Sequence, residues 1–189
     1  MNAIPTGEAI VFNEVSDLLV DSTINSVIVS ILMTILFLTL SYKYINGSYL
    51  LGFINIIPVI VSVVMLAATM KYLGISLNPI TSINLATSIG IGLDYTIHLT
   101  HRISDELNIK NTNDALINSV QKTGGALFGS AITTVFGIGS LYLAIIGVLA
   151  EFGLIVALGI LYSFVFSILL IPPLYIIVEK LISDYLPFS

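Results

Sequence analysis

The chain has 189 residues, of which 57% are hydrophobic and only 9% charged, with a mean hydropathy of +1.06, far too apolar for a soluble domain. Its net charge of −5 arises from 11 acids against 6 bases, which leaves no basic patch for nucleic acid, and the absence of cysteine excludes disulfides and thiolate metal sites. These properties predict an all-α membrane protein, with room for five or six spans of about 20 residues each and no sizeable soluble domain beside them.

Residues 1–23 carry four acids and no base, and they lack the basic start of a signal peptide. Val11, Val15, Leu18 and Leu19 recur at helical spacing, predicting an extracytoplasmic amphipathic lead-in along the membrane surface. Five apolar segments follow, at 24–44, 49–72, 79–101, 124–147 and 150–178. Asn46-Gly47-Ser48 reads as a tight turn, residues 74–79 as a loop ending on the helix-starting Pro79, and Gly147 as the break between the last two spans. The fifth segment is too long for one straight crossing, so Pro172-Pro173 is expected to end or bend it. Residues 174–186 then lie in the interface, with 179–189 as a cytoplasmic tail.

The one long polar connection, 102–122, is expected as a cytoplasmic loop. Thr112-Asn113-Asp114 would cap a short helix there, with Leu116 and Val120 sharing a face that rests on the bilayer. Lys43, Arg102, Lys110, Lys122 and Lys180 fall on one side of this five-span domain, 24–178, and only Lys71 on the other. The positive-inside rule puts the N-terminus outside and the C-terminus in the cytoplasm.

The third segment is the least lipid-like. It holds Ser82, Asn84, Thr87, Ser88, Asp94, Tyr95, Thr96, His98 and Thr100, so it is expected to be buried among the other helices. Thr87, Gly90, Asp94, His98 and His101 fall within a narrow arc, and Gly90 and Gly92 thin the helix beside Asp94 so that a neighbour can approach. A charged carboxylate at mid-membrane costs at least about 2.5–3.5 kcal/mol and escapes by protonation. Asp94 therefore reads as a proton carrier, or else as a neutral or paired packing group. Asp94, His98 and His101 form a D-x3-H-x2-H pattern that could serve as a metal half-site, as the exit of a proton path, or simply as interfacial polar residues. No second ligand cluster accompanies it, so neither a metal nor a cofactor is expected. Arg102, Asp105 and Glu106 read as a solvated helix end.

In the fourth segment Gly125, Gly129, Thr133 and Gly137 recur every four positions, a small-residue face of the kind that packs membrane helices. Thr133 or Thr134 could offer a hydroxyl to the Asp94 region through a water, or bond its own helix backbone. Glu151 reads as structural, favoured at a helix N-terminus, and Tyr42, Tyr44, Tyr49, Tyr72 and Tyr185 as interfacial anchors. No nucleophile with a base, phosphate loop or carboxylate pair supports an enzyme.

The run GIGLDYTIHLTHR (90–102), followed by KTGGALFGSAITTVFGIG (122–139), resembles the fourth and fifth spans of one half of a resistance-nodulation-division (RND) transporter. It is most similar to the MMPL and hopanoid-exporter branch, and the five-helix unit is also similar to the sterol-sensing domain. The resemblance runs from about Thr6 onward. It implies that Asp94 and Tyr95 match the family's proton-relay pair and that Thr133 or Thr134 stands where some members place a relay hydroxyl. It further implies proton-driven export of lipids or other hydrophobic molecules across the plasma membrane. A complete transporter has two six-helix halves, each with a porter domain between its first two spans. Here the first span and porter domain are missing, so the chain is expected to be a fragment or split-gene product that needs a second transporter half or a second copy of itself. The alternatives are a lipid-binding regulatory module like the sterol-sensing domain, a scaffold subunit, and an export accessory like SecD or SecF.

Overall fold

The computed structural model describes residues 8–46, 49–75, 79–107 and 109–185. Parts of the first two expected connections, Gly47-Ser48 and 76–78, lie outside the described residues, as do 1–7, 108 and 186–189. Among the described residues the chain is all helical. Helix α1 (Glu8–Asn46) is unbroken for 39 residues, because no glycine or proline interrupts it. The expected lead-in and the first span are therefore one helix. Of the four lead-in residues at helical spacing, only the Leu18 side chain is described, and it is exposed.

Helix α2 (Tyr49–Tyr72) ends at Gly74, whose φ of +70° suits glycine alone among common residues. There the Ile75 N–H donates to the Met70 carbonyl at 2.9 Å and the Gly74 N–H to that of Lys71 at 3.2 Å, the paired bonds of a Schellman stop. Helix α3 (Pro79–Leu107) runs past its expected end, and α4 (Thr112–Gly139) starts at an Asn111 cap whose side chain accepts the Asp114 N–H at 3.1 Å. The expected loop at 102–122 is thus a tight helix-to-helix turn. Leu116 is 5% exposed and packs with Val120 against the main apolar core, so this face seals the bundle and does not rest on lipid.

A short 3-10 turn (Ser140–Leu143) leads into α5 (Gly147–Tyr185), which continues through Pro172 and Pro173. Ile171 and Tyr175, on either side of the prolines, are buried in the core, and this packing carries the helix past them. At the hairpin between α4 and α5, a Cβ on Gly153 would lie 2.6 Å from Leu141 Cβ and 2.8 Å from the Ile138 carbonyl.

Among the described residues, four helices contain stretches long and apolar enough to cross a membrane: Asp21–Tyr44, Tyr49–Tyr72, Thr112–Leu143 and Gly147–Val178. Helix α3 is too polar to join them, and its place in the bundle explains why. Among the described residues it touches all four other helices, whereas α1 packs only on α2 and α3. Thr81, Asn84, Ser88, Thr96 and Thr100 are each buried within the bundle. The Thr100 hydroxyl donates to Asn55 Oδ1 of α2 at 2.7 Å, and on the neighbouring seam Ser163 of α5 donates to Ser62 of α2 at 3.2 Å. Tyr42, expected as an interfacial anchor, is 5% exposed and belongs to the core with Leu38 one turn earlier; Tyr44, Tyr49 and Tyr72 are exposed. Lys43 Nζ sits 4.4 Å from the centre of the Tyr49 ring, a cation–π contact that ties α1 to α2.

Candidate functional site

Asp94, Tyr95 and His98 lie within one turn of α3, and Thr123, Ser130 and Thr134 share a face of α4, seven and four residues apart. The two sets line a single cleft of about 480 Å³, with Ile91, Ala126 and Leu127 as its apolar wall. Asp94 and His98 are on the open side of α3, not buried as a helix enclosed all round would require. Tyr95, one position on, is 4% exposed, its ring edge-on to Phe164 of α5 at 5.9 Å. The pair therefore divides its work, with the acid facing the cleft and the tyrosine ring anchored in the core. A cleft of this size has room for on the order of ten waters, enough to hydrate a carboxylate that would otherwise face lipid.

The structure brings Asp94, Tyr95, His98 and Thr134 together and leaves Thr133 out. Thr133 is exposed and donates to the Gly129 and Ser130 carbonyls at 3.0 and 2.9 Å, and Thr134 also donates to the Ser130 carbonyl, at 2.9 Å. Thr123 and Ser130 were missed by the sequence reading, although their spacing with Thr134 is a visible helical-face signal. Among the described residues no three His, Asp or Glu side chains converge on a point that could hold a metal; Asp94, His98 and His101 climb the helix instead of closing round an ion.

The glycines divide as well. A Cβ on Gly92 would lie 2.8 Å from Ser163 Oγ, so this glycine does admit α5. At Gly90, Gly125, Gly129 and Gly137 a Cβ would meet no neighbouring element within 4 Å among the described residues. The small-residue face of α4 is left open by the described residues, while Leu127, Ala131 and Val135 of α4 belong to the core cluster that includes Val156 and Ile160 of α5.

At the end of α3 the expected solvated helix end is instead a clamp. Glu106 is 6% exposed and is held by three cations: Arg102 Nη2 at 2.7 Å, Lys110 Nζ at 2.9 Å and Lys122 Nζ at 3.1 Å. Arg102 and Lys110 are visible as partners at four-residue spacing; Lys122 comes from α4 and is not. The hydrogen bonds from Lys110 and Lys122 hold the carboxyl down to about 2, from an ordinary 4.5. A folded-state value below the unfolded one means that the clamp stabilises fully above about pH 4.5 and is lost as the pH falls through 2. Thermal melts should therefore show stability falling across that acid window. Glu106→Gln should be less stable at neutral pH and flatter through the window; a variant that melted like the wild type at neutral pH would remove the clamp's importance.

Four long apolar helices packed around a polar central one define a multi-pass membrane protein. The chain belongs to the MMPL family of the RND superfamily, which it matches over residues 2–181. It is also 34% identical over 126 residues to the membrane protein MJ1562 of Methanocaldococcus jannaschii, a match covering 66% of this chain and 32% of that protein. The chain thus aligns with about a third of that relative's length.

Proposed function

We propose that this chain is the membrane half-module of a proton-driven exporter of lipids or other hydrophobic molecules in the plasma membrane. In this reading Asp94 takes up and releases the coupling proton, with Tyr95, Thr134 and His98 as its relay neighbours. The observation that carries it is the Asp94 cleft, an acid and an imidazole opposite three hydroxyl side chains, beside a small-residue face that none of the described residues covers. An intramembrane acid at an open helix face is expected to meet a partner or a water-filled cavity. A second transporter half, or a second copy of this chain, would cover the α3–α4 face, and protonation of Asp94 would change how closely the two approach.

Helix α3 completes the five spans, enclosed by the other four except along its open stripe, with the N-terminus outside and the C-terminus in the cytoplasm. The placement of the cations supports this orientation. Arg102, Lys110 and Lys122 gather at the α3–α4 turn while Lys71 ends α2, as the positive-inside rule asks. A second reading, a lipid-sensing module, draws on the size of the cleft, which lies within the range of small-molecule sites.

Infrared difference spectroscopy of the protein in bilayers tests the choice. The proton-coupled reading expects a carboxyl band that appears and disappears as the pH on one face is changed, and that is absent from Asp94→Asn. A carboxyl that never changes state, together with saturable lipid binding that survives Asp94→Asn, would give the sensing module precedence.

A further inference from the structure

The open stripe of α3 does not stop at the cleft. His98, His101 and Asp105 follow Asp94 at four, seven and eleven residues, all within one narrow arc of the helix, and Asp94, His98, His101 and Asp105 are all exposed. At a rise of 1.5 Å per residue the stripe climbs about 16 Å, roughly half of a hydrocarbon core about 30 Å thick. No step between successive members rises more than about 6 Å, a gap that one or two waters bridge. His101 Nδ1 lies 3.3 Å from Asp105 Oδ2. That contact uses one ring nitrogen and leaves Nε2 to exchange a proton with the His98 side.

The geometry points to the His101–Asp105 pair as the water-facing last stage of a proton ladder that connects Asp94 to the aqueous face at the α3–α4 turn. The inference rests on the reading of Asp94 as the coupling acid and extends it to two residues beyond the cleft. Asp105, 56% exposed, collects or releases the proton at the water boundary. His101 accepts a proton at one ring nitrogen and gives one up at the other, and His98 hands it to water in the cleft beside Asp94. Only protons move, so the electron count is unchanged at every stage.

Three of the cations at this end are engaged elsewhere. Arg102, Lys110 and Lys122 are all bound to Glu106, which lies toward the α4 side of α3, and α5 brings the Tyr175 hydroxyl to 3.5 Å from Ser104. From α4, the cleft receives the neutral Thr123, Ser130 and Thr134. A surface pair as exposed as His101–Asp105 holds little of the fold, so its removal should act on proton movement and not on folding.

The test is a pH jump applied at the Asp105 face of vesicles containing the full chain, with the rate at which the Asp94 carboxyl band responds as the readout. His101→Gln and Asp105→Asn should each slow that response at least about tenfold, leaving the final amplitude and the melting behaviour unchanged. Imidazole added on the same face should restore the rate in His101→Gln, which a purely structural role would not allow. An unslowed response in both variants overturns the ladder while leaving Asp94 as the coupling acid. A wild-type carboxyl that never responds overturns both.

Discussion

Asp94→Asn is expected to abolish proton-driven export by the assembled transporter, a loss of at least about a hundredfold, while the chain keeps its fold. The two expectations have one cause. Asp94 points into the cleft and away from the core, so the amide has the same shape in the same place and disturbs no packing, yet it cannot gain or lose a proton in this range. Tyr95→Phe should cost less. The ring stays against Phe164 and only the hydroxyl goes. Export measured in vesicles with an imposed proton gradient, alongside thermal melts of each variant, checks both parts. Near-normal export by Asp94→Asn would end the proton-coupled reading.

The largest effect on stability is expected at Gly52→Val. A Cβ at Gly52 would stand 2.7 Å from Thr39 Cα and 2.9 Å from the Leu38 carbonyl carbon and oxygen. These are backbone atoms and cannot turn aside as a side chain could, so α1 must move away from α2. Leu38 and Tyr42 would leave the core with it. Overpacking alone typically costs about 1–3 kcal/mol, and the lost burial adds to that. Gly125→Val is the contrast: its Cβ meets no other element within 4 Å among the described residues. The single chain should melt as before, and any defect should appear only when a partner is present. Unfolding in graded denaturing detergent separates the two variants.

The helices were legible where hydropathy and punctuation agree. Gly74, Pro79 and Gly147 stand at or beside real breaks, and the polar α3 was expected at the centre because lipid could not have tolerated it. Asp94 and His98 were legible together because helical spacing aligns them, whereas Tyr95 and Thr134 were joined to them by the family resemblance. What failed to read out was everything decided between helices. Periodicity says that Leu116 and Val120 share a face but not whether lipid or protein covers it. A glycine stripe reveals that close approach is possible, and Gly92 and Gly125 look alike in sequence, yet only Gly92 receives a neighbour. Lys122 reaches Glu106 from another helix, which no local spacing rule encodes. Pro172 and Pro173 were read for their local effect, and core packing around Ile171 and Tyr175 outweighed it.

The unbroken α1 has a mechanical consequence. Its 39 residues measure about 58 Å at 1.5 Å each, nearly twice the hydrocarbon thickness, and its apolar stretch begins only at Asp21. The preceding turns form an arm of about 20 Å beyond that stretch. With its described bundle contacts on α2 and α3 and no glycine or proline to absorb bending, the rod is built to pass on a tilt as a lever does. A tilt of about 5° where it rests on those two helices swings the end of that arm by about 2 Å. In the proposed reading, a small rearrangement beside Asp94 would thus be carried along α1 to the end of the arm, on the side of the membrane opposite the α3–α4 turn.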